Sequence, residues 1–248
     1  MNTRSRSMFA IPLPFSSTAP AWRRAARHLL AARVPPEQVS WEVLPPREEA
    51  YLPPLPMARF KVRVPERFLH LADSVTSHAS EDRFTRLYRL AWRLKLTPGL
   101  LTEGKDPDVT ALLGMEEEVR KSLRRLNRQL RLHDLGWRSG RRLYAGWCDV
   151  ENDPVELALP VFRRKFSDLD WVVHTPARTV RNIAGHELAY EAPARPDLPK
   201  DTGQAEWQKW LWAQETRAHV MLALPAPLPA LTHQVLNRKC STSPSLTM

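Results

Sequence analysis

The sequence predicts an α+β fold that is mostly helical with a small mixed sheet. Several stretches repeat apolar residues every three to four positions, as helices do, while shorter stretches alternate apolar and polar residues or are continuously apolar, as strands do. The 248 residues are 43% hydrophobic and 26% charged, which is the balance of a folded globular protein. With 23 prolines and only 8 glycines, the connections should be stiff and irregular.

The N-terminal half contains three predicted helices and two predicted strands. Helical spacing predicts helices at residues 19–33, 65–79 and 81–95, the second beginning at its proline. The stretches VSWEV (39–43) and FKVRV (60–64) alternate as strands do. The proline-rich residues between these strands should form an extended surface connector.

The C-terminal half begins with a predicted long helix. Asp106 is a natural N-cap and Pro107 suits the first turn, Gly114 is the point where this helix could be interrupted, and Gly136 or Ser139-Gly140 should end it. The remaining predicted elements are a strand at 142–150, a helix at 153–166, a buried strand at 170–176, a hairpin at 178–191 and a last amphipathic helix at 206–224. This pattern predicts a main domain at 8–192, a linker and helix at 193–223, and a disordered tail at 224–248.

Residues 119–142 carry most of the positive charge. This segment has nine Arg or Lys side chains and one acid, Asp134, so it accounts for eight of the ten net positive charges. Drawn as a helix at about 100° per residue, its Val and Leu side chains fall on one side and its first six cations on the other. A local excess of this kind is typical of a polyanion-binding surface.

Part of this charge also fits a solvated helix face. Glu116, Glu117 and Glu118 precede the cations, and Glu116 can pair with Arg120 and Glu117 with Lys121, each four positions later. The arginines at 124, 125, 128, 131, 138, 141 and 142 have no obvious acidic neighbour in the sequence, and arginine favours forked contacts to phosphate oxygens. The predicted nucleic-acid-binding residues are therefore Arg120, Lys121, Arg124, Arg125, Arg128, Arg131, Trp137, Arg138, Arg141, Arg142, Arg163, Arg164 and Lys165.

Trp137 is included because it lies between a glycine and an arginine in a predicted loop, where its ring could stack on an unpaired base. The other tryptophans that occupy periodic apolar positions are predicted to be core residues, namely Trp22, Trp41, Trp92 and Trp171.

Familiar cofactor and metal motifs are absent from the sequence. It contains neither GxxxxGK[ST] nor GxGxxG. Cys148 and Cys240 are too few for a disulfide framework, a thiolate zinc site or an iron–sulfur cluster. His186-Glu187 begins a zincin-like pair, but Tyr190 stands where the second histidine would be, which favours an ordinary turn histidine. We therefore predict no cofactor and no metal.

The sequence also predicts a cytoplasmic protein without a membrane partner. No apolar run approaches the roughly 20 residues of a membrane-spanning helix. Pro12 and Pro14 interrupt the short apolar stretch near the N-terminus, so a signal peptide is not expected. The low cysteine content fits a reducing compartment.

One pair of polar residues could serve acid–base chemistry. In the stretch SDLDWVVHTP, strand alternation places Asp170 and His174 on one side and Trp171 and Val173 on the other, with Asp168 just before the strand. The favoured interpretation is a strand whose polar ends meet solvent, because no nucleophile or metal ligand accompanies them.

Several stretches, taken in order, resemble an uncharacterised bacterial family associated with DNA metabolism and DNA repair. They span roughly residues 8–192 and are WRRAARHLLAARVPPEQVSW, VPERFLHLADSV, RFTRLYRLAWRL, DPDV, RLYAGW and PVFRRKFSDLDWVVHTP. In that family the domain occurs alone or joined to a UdgX-type uracil-DNA glycosylase domain, and stand-alone members are linked to a radical-SAM protein. This chain has RRLN where the family has His-Lys-Met, and ENDP where it has paired histidines. The resemblance implies an association with DNA repair and does not imply glycosylase activity.

These observations favour a nucleic-acid-binding accessory protein that contacts the phosphate backbone of duplex or single-stranded DNA and has no catalytic activity of its own. The resemblance adds a radical-SAM protein or a uracil-DNA glycosylase-like protein as a partner. Two alternatives stay open at this point. One is a DNA-processing enzyme whose acid and base come from Asp170, His174 and Glu151, and the other is a scaffold whose cationic helix docks an acidic protein.

Overall fold

The computed structural model describes residues 9–44, 55–56, 62–102, 105–138, 140–191, 196–199 and 202–223, with side chains described except at 186–191 and 217–223. The helices are Thr18–Ala31 (α1), Glu66–Val75 (α2), Arg83–Leu94 (α3), Pro107–Gln129 (α4), Val155–Lys165 (α5) and Gln204–Ala223 (α6). The strands are Phe9–Pro14 (β1), Val39–Leu44 (β2), His133–Arg138 (β3), Arg141–Trp147 (β4), Asp170–His174 (β5), Arg178–Ile183 (β6) and His186–Glu191 (β7). The fold class is α+β, as the sequence predicts.

The N-terminal half packs three helices and the start of α4 against a small parallel pair of strands, β1 and β2. Its core is rich in aromatic rings, because Trp22, Trp41 and Tyr88 meet edge-on or at a tilt with centroids about 6 Å apart. The Tyr88 hydroxyl donates to the carbonyl oxygen of Val34 at 2.7 Å, so this buried polar group is satisfied. These contacts tie α3 to the loop that follows α1.

The C-terminal half is a mixed five-stranded sheet in the order β3-β4-β5-β6-β7. Only β4 and β5 are parallel, and α5 makes the crossover between them. One face of the sheet packs on α4 and α5 through Trp171, Val173 and Phe162. The other face packs on α6, where Leu211 meets a small apolar patch that includes Val172. The sheet therefore lies between two helical layers.

Helix α4 belongs to both halves of the molecule. Val109 and Leu112 lie in the N-terminal core, whereas Leu126 lies in the core under the sheet. Between them the buried face of the helix has Val119 but also two polar residues, since Glu116 binds Arg67 of α2 and Ser122 binds Asn152. The two cores are thus joined by one helix whose middle turns are held by polar contacts.

A buried ion-pair cluster also joins the two halves. Arg178, at the start of β6 and only 5% exposed, donates to Asp153 Oδ2 at 2.5 Å and to Glu156 Oε1 at 2.9 Å. Its guanidinium lies over the ring of Phe15, 4.4 Å from the centroid. Burial raises the pKa of both carboxyl groups, while the positive charge of Arg178 opposes that rise.

Most elements predicted from the sequence are confirmed, with boundaries that differ by a few residues. Asp106 caps α4 by accepting from the backbone amides of Asp108 and Val109, and Gly114 does not interrupt the helix. His186 begins a strand and is not in a turn. The predicted tail at 224–248 and most of the proline-rich connector lie outside the described residues.

Two predicted elements are wrong. Residues 62–64 are irregular and form no strand, while residues 60–61 lie outside the described part of the chain. The basic helix ends at Gln129 and does not continue to Gly136, because residues 133–138 pair with β4 instead. Hairpin pairing with the following segment overrides the local helical preference.

We expect substitution of Arg178 by Ala to reduce the free energy of unfolding by about 3–5 kcal/mol, because it leaves two buried carboxylates unpaired. Without Arg178 the folded-state pKa of each carboxyl group should rise further above its unfolded value. The resulting cost is full at a pH above that folded-state pKa and is lost as pH falls from there to the unfolded-state pKa, so the deficit should shrink on acidification.

Urea denaturation across pH measures both effects. Arg86→Ala removes the partly exposed pair with Asp82 and serves as a control that should cost less than about 1 kcal/mol. An Arg178→Ala deficit that is equally small, or that grows on acidification, would show that the cluster does not stabilise the fold in this way.

Candidate nucleic-acid interface

The cationic side of α4 is exposed along its C-terminal half. Six basic side chains there are exposed to solvent, five on the helix and one just after it: Arg120, Lys121, Arg124, Arg125, Arg128 and Arg131. The opposite side of the same turns, with Val119, Ser122 and Leu126, is buried. The predicted separation of an apolar side from a cationic side is therefore confirmed over the helical part of the segment.

Acidic neighbours neutralise the N-terminal end of this surface. Glu117 accepts from Arg120 at 2.6 Å and from Arg124 at 2.9 Å, and these contacts lower the pKa of its carboxyl group. Glu118 is 2.8 Å from the Nε2 atom of His78. The prediction that Arg124 has no acidic partner is wrong, because Glu117 reaches it from two turns earlier in the helix.

Four other cations of this surface have no carboxylate partner among the described residues, namely Lys121, Arg125, Arg128 and Arg131. Lys121 has no ion pair, Arg125 donates to the side-chain oxygen of Gln129 at 2.9 Å, and Arg131 donates to the carbonyl oxygen of Arg128 at 2.8 Å. On a helix, Lys121, Arg125 and Arg128 fall within an arc of about 60°. Like charges at this spacing repel one another by a few tenths of a kcal/mol each unless an anion lies between them.

The β3–β4 hairpin adds an aromatic ring on the same side of the sheet. Leu143 and Ala145 of β4 pack toward α6, so the alternate residues Arg142 and Tyr144 point toward the α4 side. Trp137 is the direct cross-strand partner of Arg142 and shares that side. Trp137 is 74% exposed.

A close approach of the chain connects the helix to the hairpin. The end of α4 crosses β4 at Gly146, where an added Cβ atom would lie 2.5 Å from the carbonyl oxygen of Arg131. Only glycine leaves room for this crossing, since no side chain can occupy that space. The end of α4 and Trp137 therefore lie on the same side of the sheet.

The same register places Arg138 and Arg141 on the opposite side of the sheet. Arg138 lies over the ring of Trp212 in α6 at 5.6 Å, and the Nε atom of Arg141 donates to Asp170 Oδ1 at 2.6 Å. The prediction that Arg141 has no acidic neighbour is wrong. It is also wrong for Arg142, whose guanidinium is 2.6 Å from Asp134.

The three basic residues at the end of α5 are exposed and lie on the α4 side of the sheet. Lys165 lies 5.3 Å from the ring centre of Phe166. Arg163, Arg164 and Lys165 are at the end of α5 that leads into the start of β5.

We use the name basic face for the surface formed by Lys121, Arg124, Arg125, Arg128, Arg131, Trp137 and Arg142. Its cations without a carboxylate partner can bind phosphate oxygens, and its exposed indole can stack on a base.

The structure does not support acid–base chemistry at Asp170 and His174. The expectation that these polar groups meet solvent is wrong, because Asp170 is 4% exposed and His174 is 1% exposed. Asp170 Oδ1 accepts from Arg141 and, at 3.0 Å, from the backbone amide of Ala184. The two residues stand at opposite ends of β5, about 13 Å apart at the rise of a strand.

His174 is part of a polar network that the sequence did not reveal. Its Nδ1 atom is 2.9 Å from the Thr179 hydroxyl, and its Nε2 atom is 3.2 Å from Glu215 Oε1 in α6. Glu215 also binds Arg181 and is fully buried. Burial opposes the ionisation of Glu215, but the contacts with His174 and Arg181 outweigh it and lower the pKa of this carboxyl group.

Other groups that could carry chemistry are few within the described residues. No cluster of three or more His, Cys, Asp or Glu side chains there could hold a metal ion. Burial raises the pKa of the Cys148 thiol to about 11, so it is protonated at neutral pH. None of the helices in the described part of the chain has the length and apolarity of a bilayer span.

Sequence comparison places the chain in a family. The sequence model of the domain of unknown function DUF4130 matches residues 81–222, which is more than half of the chain. The chain belongs to the DUF4130 family. The match runs from α3 to α6 and so includes the whole basic face, the five-stranded sheet and the helix that carries Glu215. No curated protein and no solved structure is significantly similar to the chain.

We expect Glu215→Gln to destabilise the protein by roughly 3 kcal/mol at neutral pH, because the buried side chains of Arg181 and His174 lose the negative charge of the Glu215 carboxylate. The lowered pKa of Glu215 adds stability that is present above its unfolded value and is lost as pH falls through its folded value. Wild-type stability should therefore fall more steeply than that of the variant as pH falls below the unfolded-state pKa of a glutamate, about 4.3. Thermal denaturation measures this difference, with the exposed Glu206→Gln as control. Parallel curves would contradict it.

Proposed function

We propose that this protein is a nucleic-acid-binding accessory protein in bacterial DNA repair or DNA metabolism. It holds a DNA strand on the basic face while another protein performs the chemistry. The observation that carries the proposal is a group of four cations without a described carboxylate partner, on the same side of the sheet as the exposed Trp137. These cations are Lys121, Arg125, Arg128 and Arg131.

The dimensions of the basic face suit a phosphate backbone. Lys121 and Arg131 are ten residues apart and span about 15 Å at 1.5 Å per residue. One strand of a duplex advances about 3.4 Å per phosphate along the helix axis, so these four cations can face about four consecutive phosphates. Binding an anion also relieves the repulsion among cations that the fold holds close together.

The hairpin suits an unpaired base more than a base pair. An exposed indole can stack on any base at about 1–3 kcal/mol, whereas the bases of an intact duplex are already stacked on one another. Because Trp137 and Arg142 are neighbours on one side of the hairpin, a base stacked on the ring would have its phosphate near a guanidinium. We therefore propose that single-stranded DNA binds more tightly than duplex DNA.

The partner assignment rests on the resemblance described above, and we propose a radical-SAM protein or a uracil-DNA glycosylase-like protein. The burial of Asp170 and His174 favours an accessory role over a DNA-processing enzyme. A scaffold that docks an acidic protein on the same cations is the competing hypothesis, and DNA-binding measurements separate it from ours.

Substituting Lys121, Arg125 and Arg128 together by Gln should weaken DNA binding and reduce its salt dependence. Each lost phosphate contact changes the slope of log K against log[salt] by about 0.9 for duplex and 0.7 for single-stranded DNA, so the slope should become shallower by two to three units. Sequence preference should not change. Folding should survive because Gln preserves helix propensity and the buried side of α4 is untouched.

A second triple variant separates a local footprint from net charge. Arg24, Arg27 and Arg63 are exposed on the N-terminal half, and their replacement by Gln removes the same total charge. Fluorescence anisotropy across salt concentrations should show a smaller change in slope for this control. Equal effects of the two triples, or wild-type binding by the α4 triple, would contradict the proposal, and wild-type indifference to DNA would favour the scaffold.

We expect Trp137→Ala to weaken single-stranded DNA binding by about 1–3 kcal/mol and duplex binding by less, because stacking requires an unpaired base. Trp212→Ala is the matched control, since Trp212 is also exposed but lies in α6 on the other side of the sheet. Competition binding with labelled oligonucleotides measures both. Equal losses for the two strand types would show that Trp137 does not stack on bases.

A further inference from the structure

A cleft of about 500 Å³ opens where the N-terminal half meets the sheet. Its walls come from the segment before α1, the end of β2, the start of α3, the loop before α5 and the turn before β6. The residues that matter for its chemistry are Phe15, Val43, Leu44, His78, Arg83, Glu151, Asp153 and Arg178. Its size lies in the range of small-ligand sites, which often form between packed units of a protein.

Arg83 gives the cleft a cation that forms no ion pair with a described carboxylate. Its Nε and Nη1 atoms donate to the backbone carbonyl oxygens of Thr76 and Ser80 at 3.1 and 2.7 Å, and no described carboxylate lies within ion-pair distance of it. Burial lowers the pKa of this guanidinium, and the charge of Asp153 only partly offsets that effect. A desolvated arginine held by neutral carbonyl oxygens gains from an anion more than a solvated one does.

Arg178 contributes to the cleft differently, because its charge is already neutralised. Asp153 and Glu156 bind its Nε and Nη1 atoms, so Arg83 is the wall residue whose charge a ligand can satisfy. Phe15, Val43 and Leu44 line the cleft with apolar surface, and the exposed Glu151 supplies an acceptor at its mouth. One anionic group, one flat apolar group and one hydrogen-bond donor would match these three features.

The cleft lies next to the basic face. His78, on its wall, binds Glu118 of α4 at 2.8 Å. Asn152, between the cleft residues Glu151 and Asp153, donates to Ser122 of α4 at 3.2 Å. Lys121 and Arg125 lie within one turn of Ser122 on the same helix, so the cleft and the basic face are adjacent.

We propose that this cleft binds one nucleotide, with its phosphate on Arg83 and its base against Phe15, Val43 and Leu44. The inference rests on the proposed function in one respect, namely that the nucleotide is the terminal one of a strand held on the basic face. A carboxylate such as Glu151 can accept from the N–H groups of a base, as in other base-recognition sites.

Titration of the purified full chain with the four deoxynucleoside 5′-monophosphates tests the site, because a single nucleotide is too small to span the basic face. At least one should bind, and the corresponding deoxynucleoside and inorganic phosphate should each bind at least tenfold more weakly. If none of the four binds, or if inorganic phosphate binds equally well, the nucleotide assignment is wrong.

A matched pair of variants places the binding in the cleft. Ala79 lines the cleft with an exposed side chain, while its backbone amide donates to Asn152. Ala79→Glu adds a carboxylate near Arg83 and should weaken nucleotide binding at least tenfold. Ala79→Gln has nearly the same size without the charge and should bind within about threefold of wild type. Equal behaviour of the two variants would overturn the assignment of the phosphate to this cleft.

The strand and the free nucleotide are distinguished with 5′-phosphorylated, 3′-phosphorylated and unphosphorylated oligonucleotides. Ala79→Glu should weaken the binding of at least one terminally phosphorylated strand and leave the unphosphorylated one unchanged, whereas no effect on either would show that no strand end enters the cleft. The triple Gln variant of α4 should keep its affinity for the mononucleotide while losing salt-dependent DNA binding. If DNA binding follows the basic face but no mononucleotide binds, the cleft assignment fails and the proposed function stands.

Discussion

The fold depends on the burial of one side of α4 by two separate cores. The helix supplies Val109 and Leu112 to the N-terminal core and Leu126 to the core beneath the sheet. Because the apolar residues of α4 must face both cores, the rotation of the helix about its own axis is fixed along its whole length. The side left over must face solvent, so the direction in which the cations point follows from the packing of the apolar residues.

This constraint also explains how charge is distributed along the helix. Near the junction of the two halves, Glu116, Glu117 and Glu118 find partners on neighbouring elements or on the helix itself. Farther along, the helix carries no acids of its own, and Lys121, Arg125 and Arg128 have no carboxylate partner among the described residues. The unpaired positive charge of the basic face therefore lies on the part of α4 that does not contact the N-terminal core.

Helices whose position depends on local sequence patterns could be predicted from the sequence. Apolar spacing defined α1 and α3, and Asp106-Pro107 defined the start of α4. The end of α4 was not, because Leu130 continues the helical pattern and only pairing of residues 133–138 with β4 ends it. The side of the sheet on which each site residue lies depends on the strand register, which the sequence does not show. The ion pair between Arg141 and Asp170 joins residues 29 positions apart in the chain. No sequence spacing carries that information.

The position of α6 sets an order on the folding of this protein during its synthesis. His174 lies in β5, but its partner Glu215 and the apolar cover of that sheet face arrive only with α6, about forty residues later. While the ribosome still holds α6 in its exit tunnel, one face of the sheet lacks its apolar cover, and Arg181 and His174 lack the Glu215 carboxylate. The N-terminal core, by contrast, needs nothing beyond the first turns of α4. The nascent chain can therefore complete that core first and must wait for α6 before the sheet is closed.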